Sequence, residues 1–192
     1  MACLPDHLEH DGLVLRRWTD ADAAALGAAI AANREHLRPY MPWIAAEPLT
    51  VDDRRALFRE WEDQRLAGGD VVLGIFERGV VVGGTGLHRR IGPGGLEIGY
   101  WVAADHLGKH IAARASAALT DAAFDQPDID RVEIRHDLSN TYSRNVPASL
   151  GFVLVGRDAP NRDTRAPSET GVDLVWRTTK ATWSSVSTAR SQ

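Results

Sequence analysis

Cysteine is almost missing from this chain: Cys3 is the only one in 192 residues. A single thiol builds neither a disulfide framework nor a Cys-based metal site. Lying in a polar N-terminal stretch expected to be a poorly ordered tail, it is also a poor nucleophile candidate. The seven histidines are scattered, with no His-Glu-x-x-His or comparable pair, so no metal is expected. No apolar run approaches the ~20 residues that span a bilayer. The N-terminus also lacks a basic stretch followed by an apolar one. A cytoplasmic protein with no membrane partner is therefore the expectation. Positive charge is not in excess either: 22 Lys+Arg stand against 26 Asp+Glu, for a net charge of −4. That balance argues against nucleic acid as the main partner. Repeats and linker-like low-complexity segments are absent. One domain over residues 13–183 is expected, between flexible tails at 1–12 and 184–192, as a monomer or homodimer.

What the chain does contain is ordinary globular material, 44% hydrophobic and 25% charged, arranged in alternating patterns. Leu13 and Leu15 open a first strand that ends near Trp18. Thr19 or Asp20 then caps an Ala-rich helix reaching about Arg34. Pro39, Pro42 and Pro48 interrupt the next segment around Tyr40, Met41, Trp43 and Ile44, which reads equally as a buried connector or a cleft wall. Thr50 caps a second helix that ends at Gly68-Gly69. Apolar runs at 71–77 and 80–89, split by Arg78-Gly79, predict a hairpin. A third adjacent strand follows the Gly-Pro-Gly-Gly turn at 92–95. Further strands are expected at 130–136, 152–156 and 172–178, with a short helix after Asn140. The fold class is α/β: a single domain with a mixed, mostly antiparallel central sheet flanked by helices.

The most informative stretch is LEIGYWVAADHLGKHIA, residues 96–112. Leu96, Ile98, Tyr100 and Val102 alternate with Glu97, Gly99 and Trp101, the period of a strand. Ile111, Ala115, Ala118, Leu119 and Ala122 then share one face of a helix. A strand that turns onto a helix N-terminus presents unpaired N–H groups and a positive dipole end, which suits a phosphate. One glycine-containing turn is equally well an ordinary connection.

Taken with NTYSRNVPASLGF at 140–152, this stretch resembles the GCN5-related N-acetyltransferase (GNAT) superfamily, in particular its RimJ/RimL-like ribosomal-protein branch. The resemblance also rests on LVLRRWTDADAAAL near the start, MPW at 41–43, VVLGIFERGVVVGGTGLH in the middle, and Trp176 spaced from Trp183. It implies acetyl-CoA lying between two splayed parallel strands, the ones ending near Val102 and His136. Backbone of Tyr100, Trp101 and Val102 would run beside the pantetheine arm. The pyrophosphate would sit on Leu107, Gly108, Lys109, His110, Ile111 and Ala112. The family's asparagine falls on Asn140 and its serine on Ser143, whose hydroxyl would protonate the departing thiolate.

Glu97 is a candidate base for the incoming ammonium, set against the alternative of an ion pair with Arg89 or Arg135. Ser143 has an alternative as a helix residue bonded to backbone. Tyr40, Trp43 and Trp101 are candidates to line the acceptor cleft. His88 and His136 lie near strand ends, where hydrogen-bonded or solvated histidines outnumber bases.

Three departures from the family pattern stand out. The phosphate turn has Leu107 and His110 where the family has a polar residue and a glycine. The His110 Cβ can block close backbone approach to a diphosphate, or the imidazole can point away or lend positive charge to a phosphate. Val155 stands where a glutamate is common, and Pro147 falls inside the short helix. The implied function is acetyl transfer from acetyl-CoA to a primary amine, a protein N-terminus or a small molecule, by direct attack on the thioester. The rival reading is a catalytically impaired member with a binding or regulatory role.

Overall fold

The computed structural model describes residues 4–160 and 164–190. Eight strands form one sheet in the order β1-β2-β3-β4-β5-β6-β8-β7. They are β1 (His7–His10), β2 (Leu13–Arg17), β3 (Val71–Glu77), β4 (Val80–His88), β5 (Gly95–Val102), β6 (Arg131–Asp137), β7 (Val153–Asp158) and β8 (Asp173–Thr179). Among the described residues there are also five α-helices, α1 (Ala23–Leu37), α2 (Val51–Leu66), α3 (Ile111–Phe124), α4 (Asn145–Ser149) and α5 (Lys180–Arg190), besides three short 3-10 turns. Only β5 and β6 run parallel; the other neighbours are antiparallel. The expected mixed, mostly antiparallel sheet with one parallel pair is what forms.

Each face of the sheet has its own core. On one face, Leu13, Leu15, Leu73, Ile75, Leu96, Ile98 and Ile134 pack against α3. A fully buried Leu or Ile of this kind contributes roughly 1.5–3 kcal/mol. Helix α3 is buried nearly all round, because its small Ala, Ser and Thr residues let it lie close to the strands. On the other face, Trp18, Leu26, Ile30, Leu37, Ile44, Phe58 and Phe76 form a second cluster beneath α1 and α2. Thr50 starts α2 with a capping box, its side chain accepting from the Asp53 N–H while Asp53 accepts in return.

The ends differ from expectation. Residues 7–10 are a strand, not part of a tail, because Asp11 (φ 47°) and Gly12 (φ 76°) make a tight turn that folds His7–His10 back onto β2. Asp-Gly is a hairpin signal of the primed-turn type. Leu4 is buried against the α3 core. Cys3 lies outside the described residues. At the other end, residues 180–190 are helical. Trp183 docks this helix by donating its indole N–H to Asp121 Oδ1 (2.6 Å) and meeting Phe152 edge-on at 6.0 Å. Lys180 Nζ adds a bond to the Phe124 carbonyl at 2.6 Å, at the C-terminus of α3.

Pro147 is the third residue of five-residue α4. An N–H at that position has no partner inside a helix, so proline costs no hydrogen bond there.

Candidate active site

The site follows from where β5 and β6 stop pairing. Their register runs from Gly95↔Arg131 to Ile98↔Ile134 and ends. Beyond it β5 continues to Val102 bonded only to β4, and β6 continues to Asp137 bonded only to β8. The strands therefore splay, leaving one edge of residues 99–102 open towards the gap. Such an edge is a template for an added extended segment.

The turn after β5 supplies the second part. Ala104–His106 form a short 3-10 turn, Gly108 has φ +75°, and His110 is the N-cap of α3 with φ 55° and ψ 21°. No protein acceptor takes the N–H groups of residues 108–113, among the described residues. Six consecutive free donors at the start of a fourteen-residue helix form a cradle for a phosphate group. The turn is anchored from behind by buried Asn33 of α1, whose Oδ1 accepts the Ala104 N–H at 2.7 Å while its amide donates to the Ala29 carbonyl. Asn33 carried no sequence signal, since its partner lies 71 residues away.

His110 occupies the left-handed region that glycine would adopt there, and its side chain is exposed. The backbone keeps the path that a glycine would take. Lys109 and Leu107 are exposed beside it.

On the opposite side of β5 lies a cleft of about 850 Å³. Its walls include Tyr40, Met41, Trp43, Trp61 and Trp101; its polar groups include His88, Glu97, Asn140 and Ser143. Trp43 and Trp101 meet with centroids 6.2 Å apart. Glycine at 84 leaves room for the Trp101 ring, since a Cβ there would fall 2.4 Å from its Nε1. The three aromatics expected at the cleft, Tyr40, Trp43 and Trp101, are thus brought together in it.

Ser143 sits in a turn before α4 rather than in a helix. Its N–H donates to Asn140 Oδ1 at 3.4 Å, and its carbonyl accepts from the Tyr100 hydroxyl at 3.3 Å. Burial pushes that phenol well above its ordinary range, against the bond to Ser143, so Tyr100 stays a donor. Among the described residues no protein partner takes the hydroxyl of Ser143, a residue of the cleft lining. The alternative of a hydroxyl bonded to backbone is not seen.

Glu97 differs from a free carboxylate. It is buried, and it pairs with Arg90 and with Arg135 (3.8 Å). Arg135 also holds Glu133 at 2.8 Å, and Arg177 holds the other oxygen of Glu133. This ladder of alternating charge across β5, β6 and β8 is the ion-pair alternative, with Arg90 in place of Arg89. Arg89 instead reaches Asp128 at 3.5 Å. A carboxylate clamped by two guanidiniums is a weak base.

Of the two cleft histidines, His136 has both nitrogens engaged. Trp176 Nε1 donates to its Nε2 at 3.1 Å, so Nδ1 carries the proton and donates to the Asp137 carbonyl at 3.0 Å. Burial lowers its pKa and keeps it neutral. His88 is held by Asp70 through Nδ1 alone.

Asp137 ties the cleft's rim together. Its carboxylate accepts from the Ser139 N–H (2.9 Å) and hydroxyl (2.7 Å), the Thr170 hydroxyl, and the Gly171 N–H (3.0 Å). Burial alone would raise its pKa, but these bonds outweigh it and hold the carboxyl far below the usual range. Ser139 and Ser168 in turn bind Tyr40 and Pro39: the Tyr40 hydroxyl donates to the Ser139 carbonyl (3.2 Å), and the Ser168 N–H to the Pro39 carbonyl (3.1 Å).

Val155 lies outside the cleft lining. It is the residue skipped where the β7–β8 register shifts between Leu154 and Gly156, and it is exposed.

Comparison with known proteins agrees with this geometry. The sequence pattern of the acetyltransferase (GNAT) domain matches residues 12–153. A Bacillus subtilis (strain 168) protein named "Putative ribosomal N-acetyltransferase YdaF" is 28% identical over 155 residues, covering 77% of this chain and 81% of that one. A crystal structure of a "Probable acetyltransferase" superposes with TM-score 0.80 at 26% identity, over 92% of this chain and 98% of its own. Mycobacterium smegmatis RimJ in complex with CoA-disulfide has the same fold, with TM-score 0.77 at 24% identity, over 93% of this chain and 89% of its own.

Proposed function

This chain belongs to the acetyltransferase (GNAT) family, and from that footing we propose that it is a RimJ/RimL-like member that acetylates a primary amine, in the first place the α-amine of a protein N-terminus. The observation that carries this reading is the run of six free N–H groups at residues 108–113, beside the open edge of residues 99–102 and backed by the cleft on the other face. A diphosphate, an extended amide-bearing arm and an acceptor each have a chemically matching surface. The residues present therefore fit acetyl-CoA. When bound, it supplies an activated acyl group and a thiol leaving group.

The chain's own groups then have separable roles. Residues 108–113 hold the phosphates through backbone donors, and Lys109 adds positive charge. The β5 edge from Gly99 to Val102 aligns the arm. The Ser143 hydroxyl holds a proton at Oγ for the departing sulfur. The bond from Tyr100 to the Ser143 carbonyl fixes the turn on which that hydroxyl is carried. Glu97 we now read as the group that positions Arg90 and Arg135. Tyr40, Trp43 and Trp101 exclude water and offer apolar contact to the acceptor's first residues. Two features bear on the departures from the family pattern: His110 takes the backbone path a glycine would, and Val155 lies away from the cleft.

Thermal denaturation with acetyl-CoA, followed by mass spectrometry of a peptide with a free N-terminus, tests the reading. A ligand bound only to the folded state at a hundred times its Kd stabilises by about 2.7 kcal/mol, a rise of roughly 5–10 °C for a domain of this size. Acetylation of the peptide's α-amine is expected. An unmoved midpoint at millimolar acetyl-CoA would refute it.

A further inference from the structure

Histidine 88 closes β4 on the cleft face of the sheet, and its surroundings differ from those of His136. Its Nδ1 lies 2.7 Å from Asp70 Oδ2, while Asp70 Oδ1 accepts the Arg89 N–H at 2.8 Å. Asp70 thus has one oxygen for the imidazole and one fixed by backbone. With Nδ1–H donated to a carboxylate, Nε2 carries the lone pair. That nitrogen has no hydrogen-bond partner among the described residues. It lies 3.1 Å from where a Cβ on Gly86 would stand and 3.3 Å from where one on Gly99 would stand. Neither glycine has a positive φ, so what these two positions provide is space. They clear the cleft around Nε2, next to the β5 edge and in the cavity shared with Ser143 and Tyr100.

We propose that His88, oriented by Asp70, accepts the proton from the acceptor's ammonium group. The inference rests on the reading of the cleft as an amine-acetylating site. The ammonium N–H bond breaks with its electron pair remaining on nitrogen, and the proton goes to Nε2. The free amine gains the lone pair it needs to attack, and the imidazolium is faced by the Asp70 carboxylate. The proton passes from Nε2 to water once product leaves. The second proton lost by the nitrogen is the one that Ser143 relays to sulfur. The charged groups around His88 are Asp70 before β3, Glu97 opposite it on β5, Arg89 and Arg90 after β4, and Arg135 on β6. Glu97 is balanced by Arg90 and Arg135, which leaves Asp70 as the carboxylate in contact with the ring. Burial works to raise the Asp70 carboxyl, but its bonds to His88 and the Arg89 N–H hold it below the usual range, ionised at neutral pH.

The test compares the full chain with His88→Gln and Asp70→Asn, using acetyl-CoA and a hexapeptide with a free N-terminal alanine, across about pH 6 to 10. An α-amine titrates near ~8 in solution. The His88→Gln deficit should therefore be about 100-fold at pH 6.5 and shrink to within about threefold at pH 9.5, with acetyl-CoA affinity unchanged by calorimetry. Asp70→Asn should lose about tenfold and shift the acidic limb of the profile. Ring 15N spectra of the free protein provide a readout apart from activity. They should show the Nδ1–H tautomer for His88, with that tautomer's preference weakened in Asp70→Asn. A deficit equal at every pH, or an Nε2–H tautomer, overturns the proposal. A wild-type enzyme that acetylates no peptide amine would instead refute the function, while the 15N spectra still decide whether the Asp70–His88 pair is poised to accept a proton.

Discussion

His110→Gly bears directly on the phosphate turn, and its sign is set by one backbone angle. His110 is the N-cap of α3 at φ 55°, ψ 21°. An L-residue in that region costs roughly 1–2 kcal/mol through contact of Cβ with the neighbouring carbonyl, which glycine avoids. Against this, glycine gives the unfolded chain more freedom, worth about 0.4–1 kcal/mol. The side chain itself is exposed and makes no capping hydrogen bond among the described residues, so little contact energy is lost. The balance is a gain of about 0.5–1 kcal/mol, or roughly 1–4 °C in midpoint. This reverses the loss that a histidine inside the helix start would predict. Acetyl-CoA affinity should change by less than about twofold, because the donors are backbone groups already free in the wild type. Chemical denaturation of the free protein and calorimetry at about pH 6 and pH 8 measure both quantities. A less stable glycine variant would refute the left-handed geometry. A wild-type affinity that falls between the two pH values, while the variant's does not, would show the imidazolium contacting phosphate and refute a solvent-facing side chain.

Ser143→Ala should lower kcat by about 10- to 1000-fold with the Kd for acetyl-CoA within twofold, since its hydroxyl has no structural bond to lose; a loss of affinity matching the loss of rate in a stopped-flow and calorimetry pair would make it a binding group. Asp137→Asn should destabilise by about 2–3 kcal/mol at pH 7, the scale of losing charge-assisted bonds to Ser139, Thr170 and Gly171, and should raise KM for the peptide more than it lowers kcat. Because the folded pKa of Asp137 is depressed, its stabilisation is full above the unfolded value near ~3.9 and fades as pH falls below it. The stability gap between wild type and variant should therefore close in acid melts; a gap constant from pH 7 to 3 would refute the role of the charge.

How much was legible in the sequence depended on how far apart the causes lie. Strand and helix positions came from local alternation, and α3 was readable to the residue because Ile111, Ala115, Ala118, Leu119 and Ala122 recur at helical spacing. The family resemblance likewise rests on contiguous motifs, and membership follows from a match over residues 12–153. The β1 hairpin was equally local, since Asp11-Gly12 announces it. It is missed only if polarity is taken to mean disorder.

Other properties are set by pairs distant in the chain. Whether Glu97 is a free base or a clamped one depends on Arg90 and Arg135, and β6 enters through a parallel crossover that periodicity does not register. The different tasks of His88 and His136 are invisible in sequence, because Asp70 and Trp176 assign them from 18 and 40 residues away. His110 shows the same division within one residue. Its identity suggests obstruction, whereas its φ, imposed by the turn between β5 and α3, gives the chain a glycine-like path. Sequence alone determined the elements between the two ends, the family and the strand-turn-helix at 96–124, because these follow from short-range sterics and burial. Tertiary structure alone decided which titratable groups are paired, because hydrogen bonds and charge pairing act through space, between strands that the chain brings together only after it folds.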